Sequence, residues 1–336
     1  MYNKTTVTPL GQCTLEVHNP KNHKMYQVDF VVVDGNRCMP ILGSPTIQEM
    51  DLIKVQQHNI LSVETNPVTQ EVLLKDYPDV FQGTGKLEGQ YNLEVREDVQ
   101  PVVHPPRRVP VALKEKLKQE LEKLQRLGVI KKVTEPTPWV SSLVTARKPN
   151  GQLRVCLDPK DLNEALKRSH YPTPTIDEIL PELGRAKVFS TVDVKNGFWH
   201  VELTDESSML TTFNSPFGRF RWCRLPFGVS PAPEEFQRRL NNALENLKGV
   251  LPIHDDILIY GEGTTEEALQ DHDRNLLQLM QRCKEKNIKL NKEKVKLRSK
   301  EVPFMGHVIT SEGLKADPEK IRAVQEMPTP TDVAGV

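Results

Sequence analysis

The sequence predicts an α+β chain, with a small all-β block at the front and strands alternating with helices behind it. Three observations carry this. Runs of alternating apolar and polar residues bounded by Asn, Pro and Gly recur as strands, and leucines at helical spacing recur between them. The third is chemical: Asp255 and Asp256 stand at the tip of a hairpin built from the apolar runs Leu251 to Ile253 and Ile257 to Tyr260. Two carboxylates about 4 Å apart repel by roughly 4 kcal/mol at an effective dielectric near 20, so the pair asks for a cation.

The elements follow in order. In residues 1–60, Cys13 to Val17 and Tyr26 to Val33 read as strands separated by the turn residues Asn19-Pro20-Lys21-Asn22. Pro40-Ile41-Leu42-Gly43 closes this block, and a helix is expected from Pro45 to Ile53. Residues 61–110 read as a linker and lead-in segment: a polar stretch to Glu71, then Pro101, Pro105, Pro106 and Pro110 with Arg107 and Arg108 in an extended, basic run. Residues 111–336 form the main domain. Its first helix carries Leu113, Leu117, Leu121 and Leu124 and stops at Gly128. Ser142 to Lys148 and Gln152 to Leu157 are strands joined by Pro149-Asn150-Gly151, a hairpin signal. Val188 to Val194 is a strand with Asp193 near its end, and Val250 to Tyr260 is the hairpin tipped by His254-Asp255-Asp256. Helices are expected at Pro231 to Leu247, at Glu266 to Cys283, and after Asp317-Pro318, an N-cap followed by Pro.

Composition narrows the function classes. The 336 residues are 37% hydrophobic, enough for two or three domains with cores of their own. The 45 basic and 45 acidic side chains cancel, so a polyanionic partner would have to meet a local patch. One candidate patch runs from Arg282 to Lys300, with nine Lys or Arg against Glu285 and Glu293; by itself it reads equally as a solvated face. The five cysteines are scattered and odd in number, which speaks against a disulfide framework or a zinc site. No apolar run approaches the ~18 residues of a membrane span. The N-terminus has no apolar signal core, so no membrane partner is expected and the expected location is intracellular.

Ordered landmarks carry more than any single motif. They are Lys148-Pro149-Asn150-Gly151 with Arg154-Val155-Cys156-Leu157-Asp158 and Asp161-Leu162-Asn163; Tyr171-Pro172-Thr173-Pro174; Phe189-Ser190-Thr191-Val192-Asp193; and Thr212-Phe213. Then come Leu225-Pro226-Phe227-Gly228 with Pro233 and Phe236-Gln237, Asp255-Asp256-Ile257-Leu258, and Phe304-Met305-Gly306-His307. In this order the chain resembles, over about residues 77 to 330, the reverse transcriptase of gypsy-like LTR retrotransposons.

The resemblance implies a right-hand polymerase with fingers, palm and the start of a thumb. It implies that Asp193, Asp255 and Asp256, with the Val194 carbonyl, hold two Mg²⁺ ions, or Mn²⁺ in their place, for nucleotidyl transfer from a dNTP to a primer 3′-hydroxyl on an RNA or DNA template. In such chemistry one ion activates the attacking oxygen and the other steadies the leaving group. Phe198, five residues past Asp193, matches the aromatic gate against a ribose 2′-hydroxyl; an ordinary core aromatic is the alternative. Lys148 and Arg154 match the cations that grip the triphosphate, against a reading as exposed strand cations. Phe227 and Gly228 match the turn that backs the nucleotide. Gly306 and His307 match the junction near the primer terminus, and Lys292, Lys294, Lys296 and Arg298 a surface facing the nucleic-acid backbone. The location implied is the cytoplasm or a retroelement particle.

Gly11 to Ile53 resembles the C-terminal half of a retropepsin-type aspartic protease. Neither Asp-Thr-Gly nor Asp-Ser-Gly occurs, and Asp34-Gly35 lacks the middle residue, so no proteolysis is expected. The chain stops before the ribonuclease H and integrase regions of such polyproteins and is expected to be a fragment of one. Pro252 and Pro231 depart from the family pattern; Pro in a hairpin strand removes a ladder hydrogen bond, which an edge strand tolerates. Two rival readings are a non-catalytic nucleic-acid-binding remnant and a dimerisation module in residues 1–60 supporting a homodimer.

Overall fold

The computed structural model describes residues 9–19, 22–33, 42, 44–50, 52, 68–147, 151 and 153–327. They fall into two compact units divided between Asn66 and Pro67. The first unit holds an antiparallel ribbon, β1 (Pro9–His18) against β2 (Met25–Val33), and a short helix, α1 (Ser44–Glu49). The side chain of buried Asn19 donates to the Met50 carbonyl and ties ribbon to helix. The helix ends at Glu49, short of the expected Ile53. Asp34-Gly35 and most of Pro40 to Gly43 lie outside the described residues.

The second unit opens with α2 (Gln70–Asp76) and α3 (Pro78–Phe81). Thr69 caps α2 by accepting from the Val72 amide. Leu73, Val80, Phe81, Leu87 and Leu93 are buried in the main core. Residues 68–110 therefore belong in large part to the folded unit and do not act as a linker. Their apolar side chains come singly from short elements, a pattern without the periodicity that marks a long helix or strand. The Pro-rich stretch is strapped down: Val103 bridges Val140, and Arg107 reaches Asp158 at 2.5 Å.

The elements then run β3 (Gln90–Tyr91), α4 (Val111–Arg126), β4 (Ile130–Val133), β5 (Ser142–Arg147), β6 (Leu153–Asp158), α5 (Lys160–Ala165), α6 (Ile176–Ile179) and β7 (Ala186–Asp193). They continue through β8 (Glu202–Leu203), α7 (Asp205–Leu210), β9 (Phe213–Ser215), β10 (Gly218–Trp222), α8 (Ala232–Ala243), β11 (Val250–Ile253) and β12 (Asp256–Glu262). The last are α9 (Thr265–Glu285), β13 (Lys296–Ser299), β14 (Glu301–Phe304), β15 (His307–Thr310), β16 (Gly313–Ala316) and α10 (Pro318–Gln325). The leucine stripe of α4 faces inward as its spacing demands, with Leu117, Leu121 and Leu124 buried.

A four-stranded sheet in the order β11-β12-β7-β13 positions the acids. Its two central strands are covered on both faces, so they read as nearly continuous apolar runs. On one face Val192, Ile257 and Ile259 join Leu276, Leu279 and Met280 of α9 in the main core. On the other, Phe189, Leu258 and Tyr260 join Val302, Phe304 and Ile309 in a second core under the β14-β15-β16 sheet. Helix α9 approaches β12 closely at Gly261, where a Cβ would fall 2.1 Å from the Ala268 carbonyl oxygen. Among the described residues no helix is long and apolar enough to cross a membrane.

Candidate active site

Strand pairing brings the acids together. Asp193 ends β7, Asp256 begins β12, and the register places them directly opposite one another. Like charges so placed are destabilising. Asp255 occupies the two-residue turn between Ile253 and Asp256, behind His254 at φ +52°. Its backbone carbonyl accepts from the Val194 amide at 2.6 Å, which locks the turn to the end of β7. The Val194 backbone, proposed from sequence as a further ligand, thus lies beside the acids.

The acids crowd one another electrostatically. The Asp255 carboxyl is pushed up to about 6, first by burial and then by the charges of Asp193 and Asp256. Asp256 is raised by burial and by Asp193. The buried Oδ1 of Asp255 has no hydrogen-bond partner among the described residues. Asp193 is relieved differently, by the Lys294 ammonium at 2.5 Å from its Oδ2. Among the described residues no group of three or more His, Cys, Asp or Glu converges tightly enough to form a ready-made metal cage. The donor set nevertheless fits Mg²⁺, which binds through one or two carboxylates and keeps waters or substrate phosphates for its remaining positions. An orphaned carboxylate oxygen among mutually repelling acids is what such an ion would satisfy.

The turn is held from outside by a residue that sequence reasoning left as a landmark. Gln237 on α8 is fully buried; its Oε1 accepts from the His254 amide at 2.6 Å and its Nε2 donates to the Pro252 carbonyl at 2.8 Å. These bonds occupy the free edge of β11. That strand is an edge, and Pro252 sits one pair beyond the pair closing the turn, where its missing N–H faces away from β12. Pro252 therefore costs no ladder bond. A buried Gln on an apolar helix face beside Phe236 and Leu240 was the available signal.

Aromatic rings lead away from the acids. Gly197 is an obligate glycine: a Cβ there would lie 2.1 Å from Asp255 Oδ1 and 2.8 Å from the Phe236 ring. Phe198, next in sequence, is half-buried against Phe236 (centroids 5.7 Å) and Phe227 (4.9 Å). The exposed Arg154 guanidinium lies over the outer side of this group, 5.1 Å from the Phe227 centroid, a cation–π arrangement. Gly228, at φ +105°, lets the Phe227 turn press on β6, since a Cβ would fall 2.3 Å from the Leu157 carbonyl oxygen. Lys148 lies outside the described residues.

The basic run does not form one surface. Arg282 donates to the Ala243 and Glu245 carbonyls, both at 3.0 Å, and Lys289 to the Asp79 carbonyl at 2.6 Å. Arg298 corrects the sequence expectation outright: its guanidinium is committed to the buried Asp273 and is not available to nucleic acid. A buried carboxylate demands that counter-charge. Lys294 is likewise turned to Asp193, while Lys292 and Lys296 remain exposed. Gly306 and His307 lie at the β14–β15 turn, where Met305 and Gly306 have φ +50° and +74° and the His307 ring nitrogen Nδ1 donates to the Met305 carbonyl. No bond among the described residues joins this turn to the acids.

The chain is similar to several known proteins. Residues 146–309 match the family described as reverse transcriptase (RNA-dependent DNA polymerase). The chain is 30% identical over 315 residues to the retrovirus-related Pol polyprotein from transposon opus of Drosophila melanogaster, covering 90% of this chain and 31% of that protein. To the Pol polyprotein from transposon gypsy of the same organism it is 32% identical over 217 residues, 63% of this chain and 20% of the relative. The chain spans about a third or less of the length of these curated relatives. In fold it is similar to a foamy viral protease-reverse transcriptase solved with double-stranded DNA, at TM-score 0.71 and 20% identity, covering 98% of this chain and 62% of that one. The same viral protein solved with an RNA/DNA hybrid gives a TM-score of 0.68 at 20% identity, covering 96% of this chain and 46% of that one. Opposed acids on β7 and β12, the residues matched and the Pol relatives agree: residues 146–309 are a reverse transcriptase domain of the kind found in retrotransposon Pol polyproteins.

Proposed function

We propose that the chain is an RNA-directed DNA polymerase that joins a dNTP to a primer 3′-hydroxyl on an RNA or DNA template. The observation that carries this is the pairing of Asp193 with Asp256 beside Asp255, whose buried oxygen has no partner among the described residues. Asp193, Asp255, Asp256 and the Val194 carbonyl would hold the divalent ions. Bound there, such ions supply Lewis-acid stabilisation of the attacking and leaving oxygens.

The remaining work falls to the chain itself. Arg154, together with Lys148, would offset triphosphate charge, a charge-assisted contact roughly twice as strong as a neutral one. The Phe227 ring, 5.1 Å from the Arg154 guanidinium, steadies it by a cation–π contact. Phe198, packed against Phe227 and Phe236 and next to Gly197, which abuts Asp255, would be the steric gate against a ribose 2′-hydroxyl. Gln237 holds the His254-Asp255 turn at a fixed height, so the carboxylates need not reorganise as charge develops. Lys292 and Lys296 would supply a sequence-independent grip on the phosphate backbone, and the Gly306-His307 turn would meet the primer terminus. This reading draws support from the solved viral relatives, which were bound to double-stranded DNA and an RNA/DNA hybrid.

The test is extension of a DNA primer on an RNA template with Mg²⁺ or Mn²⁺. Wild-type protein extends, Asp255→Asn does not, and Phe198→Ala incorporates ribonucleotides more readily. Equal extension by Asp255→Asn would sink the assignment. Primer-template binding without incorporation by wild-type protein would favour a non-catalytic remnant. For residues 1–60 we propose a partial retropepsin-like segment that self-associates. Its two-stranded ribbon leaves Met25 and Val31 more than half exposed on one face and Leu15 on the other, apolar side chains that a second copy would cover. Gel filtration of the full chain and of a chain lacking residues 1–60 tests it, a dimer in the former alone being the expected result.

A further inference from the structure

Ser190, His272 and Asp273 form a hydrogen-bonded series outside the site described above. The Ser190 hydroxyl lies 2.7 Å from His272 Nε2, and His272 Nδ1 lies 3.0 Å from Asp273 Oδ1. The order resembles a nucleophile, a base and an orienting acid, but Ser190 and His272 are completely buried, so no substrate reaches them. The series also closes on itself. Arg298 binds Asp273 through its guanidinium, and its backbone amide donates to Ser190 Oγ at 2.9 Å. Three elements, β7, α9 and β13, are thereby joined in one ring.

The ring acts on β13. Strand β7 is fixed on its other side by continuous pairing with β12 from Asp193 to Val188, whereas β13 touches β7 at only two register positions, Lys296 with Thr191 and Ser299 with Phe189. Between those positions β13 carries an extra residue, and Arg298 there adopts φ +49°, a left-handed conformation that a non-glycine residue holds only when its surroundings over-determine it. The backbone just upstream runs between this anchor and Leu290, which bridges Val194 and donates to the Val80 carbonyl. There the Asn291 amide donates to the Asp193 carbonyl at 2.8 Å and Lys294 reaches the Asp193 carboxylate.

We propose that the buried Ser190-His272-Asp273-Arg298 ring is a positioning device that holds Lys294 on Asp193 as a built-in counter-cation, which a divalent ion must displace. This rests on the reading of Asp193 as a metal ligand. His272, Asp273 and Arg298 are positioning residues acting through Lys294; none touches a reacting atom.

The test uses the full chain and two readouts. In EDTA, the rate at which an acetylating reagent modifies Lys294, measured by mass spectrometry against exposed Lys292, reports the ion pair without any metal. Free Mn²⁺ measured by electron paramagnetic resonance reports affinity. Arg298→Leu should raise the relative Lys294 rate at least threefold and tighten Mn²⁺ binding at least threefold. Lys294→Met should tighten Mn²⁺ binding as much, and the double variant no further. Arg282→Leu, which removes an unrelated structural contact, should change neither. Unchanged Lys294 reactivity, weaker Mn²⁺ binding in Arg298→Leu, or additive effects in the double variant would overturn the proposal. Where Arg298→Leu does not fold, Arg298→Lys and His272→Gln carry the same predictions at smaller amplitude. Wild-type Mn²⁺ binding indifferent to Asp193→Asn would instead overturn the metal-site reading, while the EDTA readout would still judge the ring.

Discussion

Replacing Asp255 by Asn should stabilise the metal-free protein while abolishing polymerisation. The Asp255 carboxyl is raised from 3.8 to about 6 by burial and by its acidic neighbours. A tenfold change in proton affinity is worth about 1.4 kcal/mol, so holding this group ionised at pH 7.5 costs the fold up to about 3 kcal/mol. Part of that belongs jointly to the three acids, so about 1–3 kcal/mol should be recovered by Asn, which keeps the side chain's size without its charge. The sign follows from linkage. A carboxyl whose folded value lies above its unfolded value is harmless below the unfolded value and destabilising once the pH rises through the folded one. The advantage of Asp255→Asn should therefore be full above about pH 6 and fade toward pH 4. At about 2–4 °C per kcal/mol for a unit of this size, thermal unfolding in EDTA at pH 7.5 should show a midpoint a few degrees above wild type. Adding Mg²⁺ should raise the wild-type midpoint and narrow the gap, because the ion binds only the folded state. A variant less stable than wild type in EDTA, or one whose advantage persists unchanged at pH 4, would refute the electrostatic account.

Three further outcomes are expected. His200 is buried and neutral, held down to about 4 by burial, with Nδ1 donating to the Gly197 carbonyl and Nε2 accepting from the Lys289 amide. Its contribution is present above the unfolded value near 6.5 and is lost as pH falls, amounting to about 3 kcal/mol by pH 4. Denaturant titrations across that range in the Asp255→Asn background, free of the opposing carboxyl effect, measure it. Gly197→Ala should cut primer extension about 100-fold, since the new Cβ displaces Asp255 and a shift of about 1 Å at a reacting group is enough for that loss. Retained folding by circular dichroism separates this from collapse. Gln237→Leu strips partners from the His254 amide and the Pro252 carbonyl and should destabilise by about 1–3 kcal/mol. Gln237→Glu keeps the acceptor for the His254 amide but buries a charge beside the acids and turns an oxygen on the Pro252 carbonyl, so it should destabilise at least as much at pH 7.5 in the same thermal assay and recover stability as the pH falls and the carboxyl protonates.

How much of this is legible in the sequence depends on how far apart the interacting residues lie. The acid-tipped hairpin is readable because its signals are local: apolar runs on both sides of two turn residues dictate pairing between β11 and β12, and Asp255 and Asp256 fall at the tip. The leucine stripe of α4 is readable for the same reason. Residues 68–110 pass for a linker because each of their buried side chains is held by distant elements; the Arg96 amide, for instance, donates to the Ala165 carbonyl. The basic run shows the limit most clearly. A count of cations along Arg282 to Lys300 registers charge but not commitment, and the commitments are made elsewhere: Arg298 to Asp273 on α9, Lys294 to Asp193 on β7, Lys289 to the Asp79 carbonyl of α3. Burial reverses the meaning of such a charge. An exposed lysine is open to a phosphate backbone, whereas an arginine on a buried carboxylate is structural, because removing either partner strands an uncompensated charge at a cost of about 3–5 kcal/mol. The same reasoning separates Lys294 from its neighbours. It is exposed enough to leave Asp193 when a stronger cation arrives and close enough to quiet the carboxylate until then, so on the proposed reading its charge serves the acids and not, like those of Lys292 and Lys296, an exposed face.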